Sequence, residues 1–232
     1  MIKTYLVGGS VRDELCGIQP KDLDYAVEAE SFDAMLAWIK ERGKIFLVKP
    51  EFLTVRAHLK DGEPADYVLC RKEGSYSDGR RPDVVEPGTI FDDLARRDFT
   101  CNAIARSEDG TYIDPHEGRK DLSNKLLRCV GKAEDRFSED ALRMLRAIRF
   151  SITKELIMDI EILDSFCNKT LLSKLRNNVS SDRKRDELEK CFRFNTKLTI
   201  DTLSYFGIGT TFLQDIFDVP NGKIWLLPTS KS

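Results

Sequence analysis

A chain of 232 residues, 41% of them hydrophobic, holds enough apolar material for one sizeable core, or for one domain with a small second one. A net charge of −2 excludes binding to nucleic acid by bulk charge alone. The apolar run in Met1–Val7 is too short for a signal peptide, and no run reaches the roughly 18 residues of a membrane span, so the expectation is a cytoplasmic protein. Six cysteines, at 16, 70, 101, 129, 167 and 191, form no CxxC pair, and His58 and His116 are the only histidines beside them. That argues against zinc and for structural thiols in a reducing compartment.

Along the chain, Thr4–Val7 predicts a short strand ending at Gly8-Gly9. Ser10 can cap the helix that follows, and Gly17 marks its end. Asp22–Val27 alternates polar and apolar residues, as a half-buried strand does. Ser31–Arg42 predicts a helix with Phe32, Met35, Leu36 and Ile39 on one face and Gly43 as the stop. Ile45–Val48, Leu53–Leu59 and Ala65–Leu69 read as further strands, and Lys72–Pro82, rich in Gly, Ser, Asp and Arg, as a mobile loop. From about residue 120 the pattern is helical: Glu139–Phe150 is one amphipathic segment, and 155–175, 182–194 and 198–217 can all be helices. The expected fold is α+β, with a head of a small mixed sheet and helices over 1–130, an all-helical neck and body over 131–220 and a short irregular end over 221–232.

Several residues can carry chemistry. Asp22 and Asp24 are two apart on a predicted strand and share a face. Two carboxylates there repel unless a cation joins them, and hard divalent cations want such oxygen ligands; the plainer reading is a solvated acid pair. Gly8-Gly9-Ser10 follows a strand and opens a helix, so backbone N–H groups can approach a phosphate, with Arg12 as a fork for its oxygens. The plainer reading is a tight turn with Arg12 bound to Asp13. In Arg96-Arg97-Asp98-Phe99-Thr100-Cys101-Asn102-Ala103, Arg97 can meet a triphosphate, Asn102 a ribose hydroxyl, and Asp98 can orient either or cap a helix. Asp140 and Arg143 are i, i+3 neighbours on a predicted helix. A carboxylate only accepts and a guanidinium only donates, so the two set edge-on to a base match cytosine and adenine and mismatch uracil and guanine. The plainer reading is a surface ion pair. Arg146 reaches the same side, while Arg149 lies roughly opposite. Residues 165–200 hold nine Lys/Arg against four Asp/Glu, a local basic face that could meet RNA or simply be solvated.

Gly8–Asp13, Asp22-Leu23-Asp24, Arg96–Ala103, Asp114–Leu122 and Glu139–Arg143 stand in an order and at spacings that resemble the class II tRNA nucleotidyltransferases and bacterial poly(A) polymerases, within the polymerase-β superfamily. The resemblance is close over residues 1–150 and faint through Ser181–Lys190. It implies a polymerase-β-like head that adds CCA to tRNA 3′ ends from CTP and ATP. Asp22 and Asp24 would hold two Mg²⁺ ions, with Asp66 as the candidate third carboxylate. Gly8, Gly9 and Arg12 would hold the triphosphate, and Arg97, Asp98 and Asn102 the nucleotide's phosphate and ribose. Asp140 and Arg143 would select the base, with Arg146 toward a phosphate, and Asp114–Leu122 would be the hinge between head and neck. Relatives usually carry a helical tail after the body, whereas this chain stops at Ser232; grip on tRNA would then be weaker, or come from a homo-oligomer or from the 165–200 stretch, or the substrate would be an RNA other than full tRNA. The glycine- and arginine-rich signature of the poly(A) polymerases is not evident at Gly43–Val48, which favours CCA addition over poly(A), A-only or CC-only addition. A non-catalytic nucleotide-binding module is the other alternative, and the intact Asp22/Asp24 pair argues against it.

Overall fold

The computed structural model describes residues 2–60, 62–74 and 84–208, in two compact units that divide between Asn124 and Lys125. The first unit runs β1 (Lys3–Val7), α1 (Gly9–Leu15), β2 (Leu23–Glu28), α2 (Phe32–Arg42), β3 (Gly43–Lys49), β4 (Thr54–Leu59), β5 (Ala65–Leu69), β6 (Arg71–Glu73), β7 (Val85–Pro87), α3 (Ile90–Ala95), β8 (Ala105–Ser107), β9 (Tyr112–Ile113) and α4 (Gly118–Ser123). Among the described residues seven of these strands form one sheet in the order β3-β4-β5-β2-β1-β8-β9, in which β2 and β5 are parallel and the other neighbours antiparallel.

The core of this unit follows from the period-2 pattern. Val27 on β2, Val55 and Ala57 on β4, and Ala65, Tyr67 and Leu69 on β5 bury their side chains with Met35 and Ile39 of α2. Met35 and Ile39 are four apart, one stripe of a helix. Ser31 caps α2 by accepting from Ala34 N at 3.1 Å. Gly43 does more than stop that helix: it opens β3 in extended conformation, and a Cβ there would lie 2.2 Å from the His58 carbonyl oxygen across the ladder. Tyr25 and Tyr67, register partners on β2 and β5, stack with ring centres 5.2 Å apart. Asp24 and Asp66, one residue earlier on each strand and also in register, therefore project from the opposite face.

Sequence and structure differ at several points in this unit. Gly8, not Ser10, caps α1, and Ser10 lies inside the helix. The segment read as a loop from Lys72 begins as a ladder, β6 against β7; residues 75–83 lie outside the described residues.

The second unit runs β10 (Leu126–Leu127), α5 (Ala133–Glu139), α6 (Leu142–Thr153), β11 (Ile157–Met158), α7 (Ile160–Ser165), α8 (Lys169–Asn177), α9 (Ser181–Phe194) and α10 (Thr196–Tyr205). It is not all-helical, because β10 and β11 pair in parallel. The single helix expected over Glu139–Phe150 is broken: Asp140 adopts an extended backbone, φ −148° and ψ 103°, between α5 and α6. The helix expected over 155–175 is divided by Asn168, whose side chain caps α8 by accepting from Thr170 N and Leu171 N. Of the helix expected over 198–217, Thr196–Tyr205 is formed; residues 209–217 and the short end over 221–232 lie outside the described residues. The core here includes Leu142, Met144, Leu145 and Ile148 on α6, which packs against α9, where Leu188 and Cys191 are buried. Among the described residues no helix is long and apolar enough to cross a membrane.

Candidate active site on the first unit

The Gly8–Gly9 turn brings three distant segments together. Gly8 has φ +66°, a backbone that favours glycine, and a Cβ on it would lie 2.8 Å from Arg97 Nη1. A Cβ on Gly9 would sit 3.4 Å from Arg12 Nη2. The two glycines thus hold bare backbone against two guanidinium groups. Ser10, buried, ties the turn to the acidic strand: its hydroxyl donates to Asp22 O at 2.9 Å and accepts from Asp24 N at 3.2 Å.

Arg12 is buried and anchored at both edges. Nε and Nη2 donate to Asp13 Oδ1 at 3.0 and 2.8 Å, the contact expected of a plain turn. Nη1 donates to Asn102 Oδ1 at 2.6 Å. Asn102 Nδ2 donates in turn to Asp98 Oδ1 at 3.1 Å, which also accepts from Phe99 N at 2.8 Å. So Arg12, Asn102 and Asp98, which sequence could only name as candidates, form one connected network across 90 residues of chain. Asp98 caps no α-helix, since Thr100–Asn102 forms only a 3-10 turn.

Arg97 donates to Asn102 O at 3.1 Å and to Asp93 Oδ2 at 2.8 Å. Arg96 grips the other Asp93 oxygen and contacts Glu73 at 3.3 Å. Burial works to raise the pKa of Asp93, but Arg97 and Arg96 outweigh it and hold the carboxyl below its ordinary range. Asp93 went unread in the sequence, although its place one turn before Arg96-Arg97 is the i, i+3 and i, i+4 signature of ion pairing on a helix.

Asp24, Asp66 and Asp22 form the acidic part. Burial, then the charge of Asp66 and, less, that of Asp22, raise the pKa of Asp24, against opposing effects of Arg97 and Arg56. Arg56 on β4, also unread in the sequence, stands between Asp22 at 3.8 Å and Asp66 at 3.7 Å. Among the described residues no three His, Cys, Asp or Glu side chains converge as a closed metal cage. Carboxylate oxygens are nevertheless the donors that a hard divalent cation takes. Such ions take one or two carboxylates and fill the remaining positions with water and substrate oxygens. Repelling carboxylates on neighbouring strands fit that description.

In the second unit Asp140 and Arg143 do not share a helix face. Asp140, in the break, accepts from Leu142 N at 3.1 Å and pairs with Arg183 at 2.6 Å. Arg143, on α6, pairs with Glu139 at 2.7 Å and donates to Arg136 O at 3.1 Å. Arg146 lies 3.5 Å from Glu187, which Arg149 also binds. Asp114 accepts from Gly118 N and Arg119 N at 2.7 and 2.9 Å and fixes the start of α4.

Comparison with known proteins places the chain in a family. The chain is 41% identical over 192 residues to the CCA-adding enzyme of Lactobacillus johnsonii, a match covering 81% of this chain and 46% of that protein. The structure of the Bacillus stearothermophilus CCA-adding enzyme in complex with CTP superposes with a TM-score of 0.75 at 33% identity, over 89% of this chain and 49% of that one. The Thermotoga maritima CCA-adding enzyme complexed with tRNA gives a TM-score of 0.72 at 27% identity, over 94% and 48%. The chain thus spans about half the length of these relatives. The model of the poly A polymerase head domain matches residues 4–128, more than half of the sequence. The chain belongs to the family of the poly A polymerase head domain.

Proposed function

We propose that this chain works in template-independent nucleotidyl transfer, adding CCA to tRNA 3′ ends from CTP and ATP. The observation that carries the proposal is the Arg12–Asn102–Asp98 network beside the Gly8–Gly9 turn, with Ser10 tying that turn to Asp22 and Asp24. In the reaction the RNA 3′ oxygen bonds to the α-phosphorus of the nucleotide, the bond to pyrophosphate breaks, and the hydroxyl proton leaves. Little of this is covalent chemistry for the protein; the work is positioning and charge.

The bare backbone of Gly8 and Gly9 admits the triphosphate close to Arg12 and Arg97, whose guanidinium groups offset its charge. Asn102 and Asp98, already oriented by Arg12 and by Phe99 N, face the ribose. Asp22 and Asp24, with Asp66, would hold Mg²⁺, which when bound supplies a Lewis acid for the phosphate oxygens and lowers the pKa of the attacking hydroxyl. Asp140 and Arg143 supply the acceptor and the donor that match the amino group and ring nitrogen shared by cytosine and adenine. To meet a base they must share or release Arg183 and Glu139. Arg146, set against Glu187, is the candidate for a further phosphate contact.

A gel assay tests this with purified protein, Mg²⁺, labelled CTP or ATP, and tRNA transcripts lacking CCA, CA or A. The expected result is extension of each transcript to a completed CCA and a stop. Long ladders from ATP alone would instead make the chain a poly(A)-adding enzyme, in keeping with its family model. No incorporation on any transcript, with Mn²⁺ as well, would overturn both and leave a binding role.

A further inference from the structure

Among the described residues, three of the four arginines named around the candidate site are held tightly. Arg12 has contacts at 2.6 and 2.8 Å, Arg97 at 2.8 Å, and Arg96 grips a buried carboxylate. Arg56 differs. Its backbone is fixed, because its neighbours Val55 and Ala57 on β4 are fully buried. Its cross-strand partner on β5 is Asp66, which is itself in register with Asp24 on β2. Its guanidinium nevertheless makes no close fork. It stands 3.8 Å from Asp22 and 3.7 Å from Asp66, with the Arg56 side chain 46% and the Asp22 side chain 79% exposed. Contacts of that length at that exposure hold a charge in place weakly and exchange readily, unlike a bidentate arginine–carboxylate pair.

We propose that Arg56 is a built-in counter-cation that occupies the carboxylate cluster in place of a divalent ion and must swing away when one binds. The inference rests on the reading of Asp22, Asp24 and Asp66 as cation ligands. Carboxylates on adjacent strands repel, and the Arg56 guanidinium, paired with both Asp22 and Asp66, offsets them alongside the charge of Arg97. A dication at the same oxygens removes the attraction that keeps Arg56 there and repels it as well. Binding of the ion and release of Arg56 are therefore one equilibrium, and Arg56 sets the cation concentration at which the cluster fills. Arg56 acts through the carboxylates, so it is a positioning residue. The side chain is held in reach by a strand, not by a loop, so the exchange is a rotamer change with no backbone rearrangement.

The test reads cation binding directly. Mn²⁺ is titrated into the full chain without nucleotide, and unbound Mn²⁺ is counted by its electron paramagnetic resonance signal, in wild type, Arg56→Met, Arg56→Lys and Asp24→Asn. The expected result is a wild-type site that Asp24→Asn abolishes, a Kd lowered about fivefold or more in Arg56→Met, and a Kd near wild type in Arg56→Lys. Arg56→Gln carries the same expectation as Arg56→Met if methionine disturbs the strand. An Asp24-dependent site whose affinity is unchanged or weaker in Arg56→Met and Arg56→Gln overturns this proposal and leaves the cation reading intact. Equal tightening in Arg56→Lys also overturns it, because the charge would then not be the cause. Absence of any Asp24-dependent Mn²⁺ site in all variants removes the cation reading and this proposal together.

Discussion

At the level of single residues, the groups aimed outward are held by groups aimed inward. Arg97, proposed to meet a phosphate, has its guanidinium fixed by Asp93, 1% exposed, and by the Asn102 carbonyl. Asp93→Asn removes the charge that two guanidiniums share and leaves both in partly buried positions. The expected cost at neutral pH is about 3–5 kcal/mol, the range for breaking a buried ion pair by loss of one partner. The sign of the pH dependence follows from the depressed pKa of Asp93, whose ordinary value is 3.8. Above 3.8 the carboxylate is ionised in both folded and unfolded chains, and its stabilisation is fully present. As pH falls below 3.8 the unfolded chain takes up the proton first, so stability is lost progressively toward the folded pKa. Urea denaturation of wild type and Asp93→Asn at pH 7, 5 and 3 should therefore give a constant difference at the first two and a smaller one at the third. A difference independent of pH would remove the ionised carboxylate from the account. The residue types of this site were legible in the sequence, since Gly-Gly, Asp-x-Asp and Arg-Arg-Asp are local patterns. Arg56 was not legible, because its neighbours Asp22 and Asp66 are brought to it by strand register, which no local pattern states.

At the level of elements, the strands and α2 of the first unit follow from alternation and from apolar spacing, and their ends from capping residues such as Ser31. The break between α5 and α6 did not follow. Apolar residues recur at helical spacing through Phe137, Ala141, Leu145 and Ile148, so periodicity runs straight across it. Two contacts of Asp140, one tertiary and one local, stand at the break. Arg183, from α9, binds the Asp140 carboxylate at 2.6 Å, and the same carboxylate accepts from Leu142 N to start α6. The one local sign was the residue type, since Asp favours caps over helix interiors. If the pair with Arg183 maintains the break, Asp140→Ala and Arg183→Ala should not act additively. A double-mutant cycle by urea denaturation is expected to show a coupling of about 1–2 kcal/mol, within the range for contacting residues. Strict additivity would mean that the cap on Leu142 alone sustains the break.

At the level of the whole molecule, charge distribution decides how the chain could grip RNA. The net charge is −2, and the stretch 165–200 carries nine cations against four acids. The structure spends most of those cations inside the second unit. Arg183 pairs with Asp140, Arg185 with Asp182, Lys190 with Glu187, Arg193 with Glu189 and Lys197 with Asp201, while Lys174 and Lys184 donate to backbone oxygens. Lys169 and Arg176 remain, exposed and without a carboxylate partner among the described residues. They are seven residues apart on α8, hence on one face, and both line a cavity of about 330 Å³ with Ser173 and Asn177. A cation already matched to a carboxylate or buried on a backbone oxygen displaces few ions from RNA, so the contribution of the 165–200 stretch to the salt dependence should come chiefly from these two. Measured by fluorescence anisotropy with a tRNA transcript across a potassium chloride series, Lys169→Ala and Arg176→Ala should each lower the slope of log Kobs against log salt by about one. Arg193→Ala, removing a cation already bound to Glu189, should leave the slope nearly as it was. Equal effects of all three would mean that the ion pairs of the second unit open on RNA, and that the sequence count of nine cations describes the RNA-facing charge better than the folded pairing does.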